Sequence, residues 1–398
     1  MGILLDIKAT NLRRAITAAL GAIVVAVGSG CGAPPAQQAA AIPAWRAESL
    51  TGVPGGFRAT AYDAMRDRLW ILTRYFHQAG VPLVDLTQFD IATGSTASPL
   101  KGLSGSGFIK GSLEVDSAGK VWMTWGRSLI RYDYVTNSTQ SWTLPALPPD
   151  VEVLPEHPGL DGNAVGMAIN GNQIWLVANS VEAVFRFNIS LSKWDKYIKL
   201  PLAPNLMSRL TFSSSEELGV NGVDASRTPI MAIINASTGT VAHFQTHVID
   251  YAVLGDGRLV FADDEQNLDR LDSSAAGPVR AATGLPFAGR PYLVFDRTGN
   301  LWFSMSAYKS VGIAELSMST GQVMTFPFPQ PTTAPTGALT CPGPSFGCNS
   351  SLVFDPDVQT ILVDSRNNIW VTTSVPGLNG DPNFTAPAAA LYELPDAG

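Results

Sequence analysis

"DRTGNLWFSMS", residues 296–306, sets an acidic residue before a Thr-Gly-Asn turn and then runs into a Leu-Trp-Phe strand. The chain rewrites this phrase. "AYDAMRDRLWILTR" (61–74), "LEVDSAGKVWMTWG" (113–126), "MAINGNQIWLVAN" (167–179), "LVFDRTGNLWFSMS" (293–306) and "ILVDSRNNIWVTTS" (361–374) share one order. A short β-type run leads to an Asp or Asn, a polar turn, an aliphatic residue and a Trp. The Trp of these copies are Trp70, Trp122, Trp175, Trp302 and Trp370. "YAVLGDGRLVFADD" (251–264) is a further copy with Val260 in the Trp slot. Most copies are followed by a second hairpin, such as "VFRFNISLSKWDKYIKLP" (184–201), in which alternating runs flank a polar turn. "PIMAIINASTGTVAHFQT" (229–246) keeps only this second half, and it marks a degenerate seventh unit over residues 206–246.

Four short strands per unit, repeated at roughly forty to fifty-five residues, predict an all-β, seven-bladed β-propeller with four-stranded blades. The physical reason is burial. A lone blade would leave both apolar faces wet, and radial stacking covers them. The repeated Trp is therefore read as packing between neighbouring blades. The last unit stops after its third strand, "ALYELP" (390–395), while "AWRAESLT" (44–51) has no local partner. The N-terminal segment is expected to supply the missing outer strand and close the ring, leaving no open edge.

Composition agrees with many turns and excludes one class of partner. Gly 37 and Pro 28 are plentiful, and only 15% of residues are charged. A formal charge of −7 and the lack of any basic run argue against nucleic acid, whose phosphates need a basic surface.

Residues 1–30 read as a signal peptide. Lys8, Arg13 and Arg14 precede the apolar "AITAALGAIVVAVGSG" (15–30). "VGSGC" (27–31) resembles a bacterial lipobox, which implies lipidation of Cys31. Residues 31–43 then form a flexible tether and 44–398 the propeller. The chain is expected to be exported to the periplasm or cell surface and held there by its lipid. In such a compartment Cys341 and Cys348, separated by "PGPSFG", are expected to form a disulfide within a 330–358 insertion.

The pattern "D-x-x-G-N-L-W-F", clearest at 296–303, resembles the streptogramin B lyase (virginiamycin B lyase) family and its NHL-like propeller relatives. The Thr-Gly turns at Thr93-Gly94, Thr238-Gly239 and Thr320-Gly321 belong to the same likeness. The resemblance implies a propeller fold. It also implies a lyase that opens a cyclic depsipeptide with a His acid/base and carboxylates holding a divalent metal. Blades of that family often read "WFTE", whereas here the slots read "LWFSMS", "VWMTWG", "IWLVAN" and "IWVTTS", without the Glu. One blade offers a substitute. His247 precedes an inner strand, and Asp263 and Asp264 follow the next strand, as a base beside a carboxylate site for Mg²⁺ or Ca²⁺.

Segments that lead into inner strands and out of second strands gather at one mouth of a propeller channel. In the first two units these are Arg58, Arg74, His77, Lys110, Trp125 and Arg127. Later units add Asn163, Asn179, Arg290, Tyr292, Tyr308 and Lys309. Arg grips carboxylates and phosphates in a fork, and flat aromatic rings add contact area. The expected function is therefore a binding module for a small molecule or an envelope protein at this face. A metal-dependent lyase or lactone hydrolase is the alternative, and a structural envelope scaffold a third.

Overall fold

The computed structural model describes residues 44–48, 50, 56–76, 82–104, 111–154, 162–205, 208–214, 216–254, 256–272, 277–287, 291–307, 310–329, 357–374 and 389–396. Among these, every regular element is a strand, and the strands form seven antiparallel sheets of four. Blade 1 holds β2 (Gly56–Asp63), β3 (Arg68–Phe76), β4 (Pro82–Asp90) and β5 (Thr96–Ser104). Blade 2 holds β6 (Leu113–Val115), β7 (Val121–Trp125), β8 (Ser128–Asp133) and β9 (Ser138–Thr143). Blade 3 holds β10 (Ala164–Asn170), β11 (Gln173–Ala178), β12 (Ala183–Asn188) and β13 (Lys193–Lys199). Blade 4, the degenerate unit, holds β14 (Leu210–Phe212), β15 (Glu217–Val223), β16 (Pro229–Asn235) and β17 (Val241–Thr246). Blade 5 holds β18 (Val248–Val253), β19 (Leu259–Asp263), β20 (Leu268–Leu271) and β21 (Val279–Ala282). Blade 6 holds β22 (Leu293–Phe295), β23 (Leu301–Ala307), β24 (Ser310–Leu316) and β25 (Val323–Pro327).

Blade 7 draws on both ends of the chain. β26 (Asp357–Val363), β27 (Ile369–Ser374) and β28 (Ala389–Leu394) receive β1 (Arg46–Glu48) as their outer strand. The register runs Arg46↔Glu393, Ala47↔Tyr392 and Glu48↔Leu391. Trp45 anchors the seam, with its ring 5.1 Å from Phe328 and 5.9 Å from Tyr392. The ring is closed by the N-terminal strand, as the sequence predicts.

The hydrophobic core divides into one cluster per blade interface, and the Trp slot faces the next blade every time. Trp70 packs between blades 1 and 2, Trp122 between 2 and 3, and Trp175 between 3 and 4. Val260 takes the slot between blades 5 and 6, Trp302 that between 6 and 7, and Trp370 that between 7 and 1. In blade 4 the slot falls on Gly219. There Tyr251 of blade 5 fills the space, donating its hydroxyl to the Gly219 carbonyl at 2.6 Å. A Cβ on Gly219 would lie 3.0 Å from the Tyr251 ring.

The acidic residue of the motif has its own task. Asp296 accepts the backbone N–H of Thr298 and of Asn300 on one oxygen and the Trp302 indole N–H on the other, at 2.9, 2.9 and 3.0 Å. Asp116 with Trp122 and Asp364 with Trp370 repeat this arrangement at 2.8 and 3.0 Å. One carboxylate thus closes the turn and fixes the ring that fills the blade interface.

Candidate site at the channel mouth

The first strand of each blade lines the channel, and its register against the second strand places one residue per blade in a common layer. Ala59, Gly166, Asp250 and Thr360 stand opposite Leu72, Val177, Ala262 and Thr372. In these four blades a bulge precedes the layer, at Arg58, Val165, Ile249 and Gln359. Blades 2, 4 and 6 solve the same problem differently. The backbone N–H groups of Ser112, Arg209 and Tyr292 donate to the side-chain oxygens of Thr124, Asn221 and Ser304. The layer is therefore Ala59, Ser112, Gly166, Arg209, Asp250, Tyr292 and Thr360. It is small on the side of blades 1 to 3 and bulky and charged on the side of blades 4 to 6.

Arg209 ties that bulky side together. Its guanidinium donates to Asp250 Oδ2 at 3.2 Å, to the Tyr251 carbonyl at 3.1 Å and to the Leu293 carbonyl at 2.7 Å. It also lies over the Tyr292 ring, 4.4 Å from the centroid. Burial works against the Arg209 cation, but Asp250 and the neighbouring Tyr hydroxyls overcome this and raise its pKa further. Asp250 is only 2% exposed, and its Oδ2 also accepts the Leu293 N–H at 3.2 Å. Its Oδ1 has no hydrogen-bond partner. Glu114 of β6 stands opposite Trp122, one ring level along the channel. It feels Arg209 of blade 4, and Tyr292 of blade 6 in turn feels Glu114, so its carboxyl faces the channel. Glu114 itself is half-buried. Burial pushes this carboxyl up to about 7, against the pull of Arg209.

At the mouth, Arg58 and Arg74 sit on neighbouring strands of blade 1, where Arg74 pairs with Gly56 and Arg58 occupies the bulge. Burial first, and then the charge of Arg74, bring the Arg58 guanidinium down to about 10. Burial also lowers the Arg74 pKa. Trp125, at the end of β7, packs in the same cluster as Ala59 and Leu72 and is 5% exposed. Arg58 Nε and Trp125 Nε1 are buried donors without an acceptor. Arg68 also leaves a buried Nε unpaired, yet its guanidinium is held elsewhere by Gln88, and the Arg270 guanidinium is held by Asp272, with Nε 2.7 Å from Oδ1.

The other residues expected at the mouth divide into three groups. Arg127, Asn163 and Asn179 hold the loop between blades 2 and 3. Arg127 donates to the Gly162 and Pro145 carbonyls, and the Asn179 N–H donates to the Asn163 carbonyl at 2.7 Å. Residues 150–154 of that loop lie against the turn after β11, where Val153 bridges Val181 and the Leu154 N–H donates to the Ser180 carbonyl.

His247 is 60% exposed and meets Asp264, itself 48% exposed, at 3.2 Å. Asp263 caps a turn instead of facing His247. Its Oδ1 accepts the N–H of Glu265 and of Asn267, and its Oδ2 accepts from the Asn267 amide and lies 3.5 Å from Arg280. This is the same turn chemistry as at Asp364, so both oxygens are already in use. The described His, Cys, Asp and Glu form no group of three that could hold a metal ion. His77, Lys110, Arg290, Tyr308, Lys309, Cys31, Cys341 and Cys348 lie outside the described residues.

Position within the repeat does not single out Glu114, Arg209 and Asp250. The available signal was a charge inside an otherwise apolar inner strand, as in "LEV" at 113–115.

These features define the class of the protein: a seven-bladed β-propeller with a charged channel and a cationic, aromatic mouth. No protein-family description and no curated protein matches the chain. Among solved structures it is similar to a chain of the mitotic checkpoint complex, at 10% identity and a TM-score of 0.56, covering 94% of this chain and 98% of that one. Virginiamycin B lyase from Staphylococcus aureus matches at 15% identity and a TM-score of 0.54, covering 88% of this chain and 99% of that one. An extracellular domain from B. thetaiotaomicron, assigned to a hybrid two-component system, matches at 14% identity and a TM-score of 0.54. It covers 86% of this chain and 40% of that one. At these identities the likeness is one of fold.

Proposed function

We propose that this propeller is a binding module that takes a small anionic molecule at the mouth of its channel, between blades 1 and 2. One observation carries the reading: Arg58 and Trp125 each leave a buried donor without an acceptor, beside the second guanidinium of Arg74. Buried polar groups nearly always find partners, and an anion supplies the acceptor that these lack. Trp125 offers the ligand a flat wall. Export and anchorage through a lipid on Cys31, with residues 1–30 removed and 31–43 as tether, place this mouth in the periplasm or at the cell surface. That part rests on the basic, apolar and small-residue order of the N-terminal segment. A Cys341–Cys348 disulfide would stiffen the 330–358 loop in the same compartment.

The test is calorimetric titration of the chain with benzoate, hexanoate and inorganic phosphate. Saturable binding of at least one of them is expected, weakened tenfold or more in Arg58→Gln, the usual scale for a lost charged hydrogen bond. Equal affinities in the wild type and Arg58→Gln would sink the reading.

A further inference from the structure

Two carboxylates, Glu114 and Asp250, face one guanidinium, Arg209, in the middle of the channel. Asp250 is matched by Arg209, so an ionised Glu114 leaves one negative charge in excess. No hydrogen bond acts on the Glu114 carboxyl, only burial and the charge of Arg209, and Asp250 Oδ1 is a buried acceptor with nothing to accept. Arg58 at the mouth has the opposite need, since its buried Nε has no acceptor. These two demands sit on adjacent inner strands. Trp70 pairs with Ala61 and Trp122 with Glu114, so Glu114 shares the ring level of Ala61, three residues beyond Arg58. That is roughly 10 Å of strand rise, part of which the two side chains span.

We propose that the ligand is a zwitterion whose anionic group rests on Arg58 and Arg74 while its ammonium group reaches Glu114 inside the channel. This rests on the binding reading given above and names the class of ligand. A terminal ammonium answers the excess charge, and its three N–H donors suit acceptors that lack a partner. At the ring level between Arg58 and Glu114, the first strands of blades 1 and 2 carry only the short side chains of Ala59 and Ser112. The ionisable groups bearing on Glu114 are Arg209 and Tyr292. On the strands packed against β6, Arg58 and Arg74 bear on each other, and Asp63 is held by Arg66 at the far end of the blade.

The experiment titrates the full chain at pH 8 with 4-aminobutanoate, 6-aminohexanoate and 8-aminooctanoate. Each is compared with the same acid lacking the amine, and hexylammonium serves as the cation alone. At least one amino acid is expected to bind tenfold or more tighter than its plain acid, with Glu114→Gln removing the advantage and leaving the plain acid unaffected. Arg58→Gln is expected to weaken both. If plain and amino acids bind alike in the wild type, the zwitterion inference is overturned while the anionic mouth stands. If no acid binds up to millimolar concentration, both readings fall. If hexylammonium binds as tightly as 6-aminohexanoate in the wild type and in Arg58→Gln, the channel is a cation site alone and the bridging ligand is excluded.

Discussion

Asp364 shows how much one side chain decides in this fold. Its two oxygens accept from the backbone N–H of Arg366 and Asn368, the Asn368 amide and the Trp370 indole. Read from sequence, such an Asp is a turn former. The structure makes it also the clamp on the aromatic ring, because the turn brings the indole N–H back onto Oδ2, which the Asn368 amide shares. Glu114 is the opposite case, a carboxyl left without a partner. Its folded pKa is raised from the ordinary 4.5 to about 7. Below the unfolded value the group is protonated in both states, and its contribution to stability is fully present. As pH rises through 7 the unfolded chain has already released the proton, so the folded state loses ground. We expect Glu114→Gln to gain on the wild type between pH 4.5 and 8, by up to about 3 kcal/mol, in denaturant titrations at each pH. A constant difference across that range would remove Glu114 from the channel interior.

At the scale of elements, the blade is a reusable part whose Trp slot can be filled from either side. Blade 4 looked degenerate in sequence because its slot holds Gly219, and the compensating residue, Tyr251, belongs to the next blade. No reading of one repeat at a time finds such an exchange, since the partner lies in a different unit. Gly219→Ala sets a methyl against a ring that is itself hydrogen-bonded in place. Thermal and denaturant unfolding should show a loss of roughly 1–3 kcal/mol. An unchanged stability would mean that Tyr251 does not fill the slot. The two ways of ending the inner strand, a bulge in blades 1, 3, 5 and 7 and a side-chain acceptor in blades 2, 4 and 6, were equally invisible in sequence. Both depend on the register between strands, which the hydrophobic pattern fixes only to within the pleat. Arg58 owes its place at the mouth to such a bulge.

The whole molecule follows from the repeat. Seven units, seven interface clusters and a closure strand from the N-terminal segment were legible because each is dictated by apolar burial and edge pairing. Position within the repeat puts Arg58, Arg74 and Trp125 at the proposed mouth, and the structure has them on strands of blades 1 and 2, while Arg127, Asn163 and Asn179 hold a loop. The channel interior was not legible, because charges there interact across blades far apart in sequence: Glu114, Arg209 and Tyr292 come from blades 2, 4 and 6. The binding account turns on where an anion comes to rest. The direct measurement is a crystal structure of the chain grown with 4-bromobenzoate, with the bromine located by its anomalous scattering. The account predicts a carboxylate within hydrogen-bonding distance of Arg58 and a ring against Trp125. A ligand bound to the outer rim of the blades, with Arg58 Nε and Trp125 Nε1 still unpaired, would contradict it.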